Sequence, residues 1–415
     1  MRCFPSFLCG KLRSMESLRE LYRIGYGPSS SHTMGPRSAC EMFISSHPEA
    51  KTVKAELYGS LAATGKGHLT DHAIREVFSA HGINAEIKWF PDEFKTFHPN
   101  ALTLIETEPE TAEETYYSVG GGKVIKEGDA EEKAAEPYNN EKLGSMSRLL
   151  KYSDSNGYQF WEVAIEAEGN DILDYMREVW VVMKDAIRNG LEAEGVLPGG
   201  LHLQRKACQS YAKAKDFSGP LGSTALAFSY ALAVSEENAG GGKIVTAPTC
   251  GSCGVLPGVL YHMMQEYQIP EIRILRALLT AGMVGNIVKE NGSISGAEVG
   301  CQGEVGVACA MAGAAAAQLL GGTIRQIEYA AEMGLEHHLG LTCDPQMGLV
   351  QIPCIERNAM ATLRAIDHAC YAIMGDGRHK ISFDDVVEVM METGHALPSL
   401  YRETSMGGLA RIHEI

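Results

Sequence analysis

Val305-Gly-Val-Ala-Cys-Ala-Met-Ala-Gly-Ala-Ala-Ala-Ala-Gln-Leu-Leu-Gly-Gly322 is the longest weakly polar run in the chain, and its reading decides the class of fold. A helix that spans a bilayer needs ~20 consecutive apolar residues. This run is only marginally long enough, is made largely of alanine and glycine, and is broken by Gln318. It predicts a buried helix whose small side chains let neighbouring helices approach closely.

Outward from it, the stretches 161–190, 221–237, 271–290, 305–320, 323–339 and 358–374 repeat apolar residues at spacings of three and four, the period of a helix with one buried face. Thr323 with Gln326 three residues on forms a capping box that opens one of them. From about Ser145 strand signals nearly vanish, so the C-terminal part is mostly helical. Toward the N-terminus the pattern changes. Met15, Leu18, Leu21 and Tyr22 open a helical spacing, 37–46 and 70–81 read as helices, Val53–Tyr58 alternates as a strand, and short strands fall near 84–90 and 101–107. Residues 108–144, rich in Glu and carrying Ser118-Val-Gly-Gly-Gly122, read as a hairpin or linker. The expected fold is α+β: a small N-terminal α/β domain over 15–140 and a larger, mostly α-helical domain over 145–415.

The composition narrows the function. Of 415 residues, 45% are apolar, enough for a sizeable core, and 36 Lys and Arg against 52 Asp and Glu leave a net charge of −16. That excess of negative charge argues against nucleic acid or an anionic membrane as the main partner and for a small-molecule ligand. The 11 cysteines are too sparse for a disulfide scaffold and odd in number, which fits thiols kept reduced in a cytoplasm, some of them bound to metal. Residues 1–14 have a short apolar stretch interrupted by Pro5 and Gly10, and lack the cleavage pattern of a secretory signal.

Several motifs have ordinary readings. Gly59-Ser-Leu-Ala-Ala-Thr-Gly65-Lys66-Gly67 has the wrong glycine spacing for a phosphate loop, and no Ser or Thr follows the lysine. His337 and His338 are adjacent, so they do not share the helix face that a zinc pair needs. Cys250-Gly-Ser-Cys253 lacks both the second Cys pair of a zinc ribbon and the βαβ context of a redox dithiol, and reads as structural or near-site thiols. Cys301, Cys343 and Cys354 differ, because each sits in a Gly/Pro-rich break. Loop thiols of this kind either are unrelated buried cysteines or converge on a soft metal group. Gly27-Pro-Ser29-Ser30-Ser31-His32-Thr33-Met34-Gly35-Pro36 is either an N-cap and turn or a hydroxyl-rich cradle for a carboxylate at a helix N-terminus.

Taken together, that loop, Thr246-Ala-Pro-Thr-Cys-Gly-Ser-Cys-Gly-Val-Leu-Pro257, Lys289-Glu-Asn-Gly-Ser-Ile-Ser-Gly-Ala-Glu-Val-Gly-Cys301-Gln-Gly-Glu-Val-Gly306, and Cys343-Asp-Pro through Ile352-Pro-Cys354-Ile-Glu-Arg-Asn358 resemble the iron-sulfur-dependent L-serine dehydratase (L-serine ammonia-lyase) family. The likeness runs from Met15 to Ala410, in the order of a β domain and then an α domain. The β domain looks like the small amino-acid-binding domain of some phosphoglycerate dehydrogenases.

The resemblance implies a [4Fe-4S] cluster held by Cys301, Cys343 and Cys354, and conversion of L-serine to pyruvate and ammonia. The open iron would act as Lewis acid toward the substrate hydroxyl. His32 is the candidate base for the Cα proton. Ser29, Ser30, Ser31 and Thr33 are candidates for holding the substrate carboxylate beside it; Thr249, Lys289, Asn291, Ser293 and Arg357 are candidates for binding the substrate carboxylate or amine, and serve equally well as supports for the thiolates. Some members end in a tail cysteine that reaches the open iron. Here no cysteine follows Cys370, so water or a substrate oxygen is expected at that position. A cytoplasmic homodimer with L-serine as its ligand, and with neither nucleic acid nor membrane as partner, completes the expectation.

Three other classes are weighed against it. A pyridoxal-phosphate enzyme would need a Schiff-base lysine motif and a glycine-rich phosphate loop that the sequence lacks. An electron-transfer protein would group four thiolates closely. A cluster-bearing sensor would show no turnover.

Overall fold

In the computed structural model the described residues are 14–108, 112–129, 135–403 and 407–412. The leader 1–13 and the last residues, 413–415, on which the expectations about a signal and a tail fall, lie outside them.

The N-terminal sheet forms from the strands β1 (Thr52–Tyr58), β2 (Asn84–Phe90), β3 (Asn100–Glu108), β4 (Ala112–Gly120) and β5 (Lys123–Lys126), in the order β2-β1-β3-β4-β5. β1 and β2 run parallel; every other pair is antiparallel. The parallel pair requires a crossover, which the helices α2 (Gly59–Thr64) and α3 (Thr70–Ala80) supply. Alternation on β1 sends Val53, Ala55 and Leu57 to one face. There they pack with Phe43 of α1 (Gly35–Ser46) and with Ile74 and Phe78 of α3. Within the Glu-rich stretch, residues 112–126 form a hairpin of the sheet, turning at Gly121 and Gly122, both with positive φ.

The remainder is helical: α4 (Met146–Asn156), α5 (Phe160–Glu168), α6 (Asp171–Glu192), α7 (Ala207–Ala214), α8 (Gly219–Ala239), α9 (Val255–Tyr267), α10 (Glu271–Asn291), α11 (Val307–Leu319), α12 (Ile324–Glu336), α13 (Cys354–Met374) and α14 (Phe383–Ala396). The fold is α+β. The stretch expected as one helix over 161–190 is two, because Gly169 at φ +83° leaves the helical region between α5 and α6. α11 is the alanine-rich run, buried all round except at Gln318, and the turn that leads into it, Gln302–Gly306, is wound as a π-helix. Small residues let the helices meet backbone to backbone. A Cβ on Gly334 of α12 would lie 2.7 Å from the Ala310 Cα, and one on Gly190 of α6 would lie 2.1 Å from the Ala233 carbonyl oxygen of α8. No described helix is long and apolar enough to cross a membrane.

The helical spacing at Met15–Tyr22 resolves differently. Ser14–Met15 pairs with Tyr138–Asn139 as a short antiparallel ladder, and Leu18–Glu20 is a single 3₁₀ turn. This segment inserts into the helical core. Leu18 fills the notch at Gly282 of α10, Leu21 the notch at Gly285, and the Tyr22 hydroxyl donates to the Leu278 carbonyl at 2.8 Å. The Glu168 carboxylate fixes its entry, accepting from the Ser17 hydroxyl, the Leu18 N–H and the Tyr138 hydroxyl at 2.5–2.7 Å. Ile24–Tyr26 then pairs with Lys243–Val245, and the chain arrives at the hydroxyl-rich loop on the seam between sheet domain and helical body.

Candidate active site

A cavity of about 650 Å³ lies on that seam. One wall is the loop Pro28–Ser31; opposite it are the Gly292–Gly296 turn after α10, the Thr249–Gly251 turn, and the cysteines Cys343 and Cys354.

The hydroxyl loop is a cap before it is anything else. The Ser29 hydroxyl accepts from the His32 N–H at 3.2 Å and opens the π-helical turn Ser30–Met34 that leads into α1. The Thr33 hydroxyl donates to the His68 carbonyl at 2.8 Å and accepts from the Ser29 N–H at 3.3 Å, and so lies behind the wall. Ser29, Ser30 and Ser31 stay on the cavity. The Ser30 hydroxyl reaches the Cys250 sulfur at 3.4 Å, and this contact is how the first thiol of the C-x-x-C pair enters the site.

His32 is 7% exposed and is not itself on the cavity wall; Ser31 is, and its hydroxyl lies 2.8 Å from His32 Nδ1. His32 Nε2 lies 2.9 Å from the Thr64 hydroxyl and 3.3 Å from the Ser60 carbonyl. A carbonyl only accepts, so Nε2 carries the proton, and Nδ1 presents its lone pair to Ser31. His68, which the sequence reading passed over, does line the cavity, and its ring lies 4.7 Å from that of His32. Its Nδ1–H donates to the Thr64 carbonyl at 3.1 Å, which leaves the lone pair on Nε2. Burial lowers both imidazoles, His32 to about 3, with His68 beside it adding to the effect, and His68 to about 4. Both are neutral near pH 7.

The three cysteines come from three breaks. Cys301 follows Gly300, at φ +78°, and starts the π turn. Cys343 is held by backbone bonds to the segment after α14: its N–H donates to the Tyr401 carbonyl at 2.8 Å, and its carbonyl accepts from Glu403 N–H at 2.7 Å. Cys354 opens α13. All three are buried. The Cys301 contact and burial hold the Cys343 thiol well above the usual range, and burial does the same to Cys354.

Glu304 stands among them. Its Oε2 is 3.8 Å from Cys301 Sγ and 3.7 Å from Cys343 Sγ, while Oε1 accepts from the Thr249 hydroxyl at 2.8 Å. Burial raises this carboxyl above its ordinary value. Gly296 makes room for the group: a Cβ there would meet Glu304 Oε2 at 2.5 Å and Cys343 Sγ at 3.1 Å. Soft thiols with a hard oxygen at the edge of a cavity suit an iron- or zinc-class metal. Glu304 lay within the quoted motif, yet only the folded arrangement of residues 249, 296 and 343 gives it a role.

Gln302 is another residue the sequence did not single out. It is fully buried; its amide donates to the Val299 and Met390 carbonyls and accepts from Gly340 N–H and the Thr393 hydroxyl. It thereby ties the Cys301 turn to the Cys343 loop and to α14.

Of the other predicted residues, Thr249, Ser293 and Lys289 line the cavity. Lys289 is paired with Glu16 at 2.6 Å. Burial pushes the Glu16 carboxyl up, but Lys289, helped by Lys123 and Arg23, outweighs it and leaves the pKa lowered. Glu16, Glu20 and Arg23 are cavity residues that the sequence reading missed, brought there by the inserted N-terminal segment. Asn291 and Arg357 stand outside the wall. The Asn291 amide donates to the Gly144 and Ile287 carbonyls, and the Arg357 guanidinium donates to the Thr342 carbonyl at 2.6 Å and pairs with Asp344 at 3.4 Å, bracing the Cys343 loop. His337 and His338 each bond a carbonyl four residues back, Met333 and Gly334, and close α12. Gly59–Thr64 is helix α2 and forms no phosphate loop.

The family model described as serine dehydratase alpha chain matches residues 101–410, and that described as serine dehydratase beta chain matches 17–84. The chain is 40% identical to an L-serine dehydratase of Streptomyces coelicolor, over 95% of this chain and 98% of that one. It is 40% identical to L-serine dehydratase 1 of Escherichia coli, over 95% and 99%, and 36% identical to an L-serine dehydratase of Helicobacter pylori, over 95% and 98%.

Proposed function

The chain belongs to the serine dehydratase family, a family of ammonia-lyases, and we propose that it converts L-serine to pyruvate and ammonia with a [4Fe-4S] cluster held by Cys301, Cys343 and Cys354. The observation that carries this reading is that Cys343, Cys354 and a hydroxyl-rich turn from the other domain line one cavity, with Cys301 behind them, joined to Cys343 through the Glu304 carboxylate that both sulfurs approach. When bound, such a cluster supplies a Lewis-acidic iron that eases departure of the serine hydroxyl.

The chain's own residues have the remaining tasks. Ser29, Ser30 and Ser31, at the N-terminal end of a helical turn, offer hydroxyl donors to the substrate carboxylate. Glu16, paired with Lys289, and Glu20, paired with Arg23, offer the α-ammonium an anionic partner. Neutral His32, reached from the cavity through the Ser31 hydroxyl, takes the Cα proton. Loss of that proton and of hydroxide leaves aminoacrylate, which tautomerises and takes up water to release pyruvate and ammonia. A second reading gives the proton to His68, favoured by its position on the cavity wall. Nine described cysteines, all free, support a reducing, cytoplasmic location. The proposed assembly is a homodimer, which light scattering reads directly.

The test is pyruvate release from L-serine by anaerobically reconstituted protein. Turnover that disappears on air exposure supports the reading; turnover that persists without iron contradicts it. His32→Ala is expected to lose turnover by at least ~100-fold with cluster absorption intact. Full activity in that variant, with loss in His68→Ala, moves the base to His68.

A further inference from the structure

Glu304 is not needed by a cluster held on three cysteines, yet its carboxylate is aimed at two of them. The sulfur of Cys301, the sulfur of Cys343 and a carboxylate oxygen of Glu304 lie within 4.8 Å of one another. A tetrahedral zinc-class site, with metal–sulfur bonds of ~2.3 Å and metal–oxygen bonds of ~2.0 Å, has sulfur–oxygen edges of about 3.5 Å. The two sulfur–oxygen separations here, 3.8 and 3.7 Å, are within a few tenths of that. Cys354 is not part of this triad.

We propose that the cluster-free chain binds one divalent cation of the zinc, cobalt or iron(II) class through Cys301, Cys343 and Glu304, with its fourth position open to the cavity. Three features beyond the distances favour it. The Thr249 hydroxyl holds Oε1, which leaves Oε2 as the donor that faces the sulfurs. Gly296 leaves the space beside Oε2 and Cys343 that a side chain would fill. Two thiolates and a carboxylate carry three negative charges, which one divalent cation and the neighbouring Arg357 guanidinium neutralise, and burial makes that balance matter. Binding sends the thiol protons to solvent; no electron is transferred. The inference rests on the cluster assignment only in that both occupants use Cys301 and Cys343, and therefore exclude each other.

The full chain, stripped of iron with a chelator under anaerobic conditions, is titrated with Co²⁺. One equivalent is expected to produce thiolate-to-cobalt charge-transfer absorption and the visible bands of tetrahedral cobalt. Glu304→Gln is expected to weaken binding at least ~10-fold. Cys354→Ser is expected to keep the cobalt spectrum while failing to build a cluster from iron and sulfide. Zinc-loaded protein is expected to refuse the cluster until zinc is chelated. Absence of the cobalt bands in a chain with native circular dichroism overturns the inference, and so does a cobalt site that survives Glu304→Gln but is lost in Cys354→Ser. A cluster that assembles normally in a chain without a cobalt site leaves the dehydratase reading standing and removes this one alone.

Discussion

At the scale of single residues, the site depends on where volume is withheld as much as on which groups are present. Gly296 has no side chain in a place where a methyl group would sit 2.5 Å from a carboxylate oxygen. Gly296→Ala is therefore expected to displace Glu304 or Cys343, cutting metal uptake at least ~10-fold while the far-ultraviolet circular dichroism is retained; unchanged uptake contradicts the packing argument. The imidazoles give a prediction in pH. A histidine whose folded pKa is depressed binds its proton more readily when unfolded, so its stabilising effect is present above pH 6.5 and is lost as pH falls toward the folded value. For His68, lowered to about 4, that loss amounts to about 3 kcal/mol by pH 4 at about 1.4 kcal/mol per unit. Glu332, raised to about 7 chiefly by burial, has the opposite slope, so the quantity to measure is a difference. Wild type should lose about 3 kcal/mol relative to His68→Gln between pH 6.5 and 4 in urea titrations; parallel curves contradict it. The cysteines and serines could be picked out in the sequence because motif residues are contiguous. His68 could not, because its place on the wall depends on packing against a histidine 36 positions away.

At the scale of elements, most local signals were legible, although α14, opened by its own capping box of Ser382 and Asp385, was passed over, and what depends on a partner was not legible. The cap of α12 is Thr323 and Gln326 bonding within one turn, and the sequence contains the whole interaction. α9 is buried on nearly every side and includes Pro257 and Gly258, so it has no polar face for a period to reveal. The alternation of β1 declared a strand, whereas the parallel pairing with β2 needed the fold. Gln302 shows the same limit in one side chain: its four partners come from Val299, Gly340, Met390 and Thr393. Gln302→Leu keeps the volume and strands those groups in the core. It is expected to cost about 3 kcal/mol or more in urea denaturation; an unmoved midpoint contradicts that role.

At the scale of the whole molecule, the sheet domain and the helical body are not two separable halves. Met15, Leu18, Leu21 and Tyr22 belong to the helical core, and the segment they sit on carries Glu16, Glu20 and Arg23 to the cavity. A chain of residues 135–415 alone loses these side chains, at ~1.5–3 kcal/mol for each fully buried large one. It is expected to show non-cooperative melting, whereas co-expression with residues 14–129 should restore a soluble complex that co-elutes on size exclusion. Cooperative melting of 135–415 by itself contradicts the insertion. The composition indicated a core of this size and the periodicity indicated its helices, but which core an N-terminal apolar cluster joins is a matter of shape, set by the notches at Gly282 and Gly285.

That insertion bears on how the protein is made. The ribosome releases Leu18 and Tyr22 first, but the α10 residues that receive them follow more than 250 positions later. At roughly 5–20 residues per second, the segment waits for tens of seconds with its apolar side chains in water. Helices α4 to α9 are complete before their own N-terminal anchor can dock. A nascent chain of this kind should engage a holding chaperone until residue 285 has cleared the exit tunnel, and ribosome profiling of chaperone-bound nascent chains should show release only after that point.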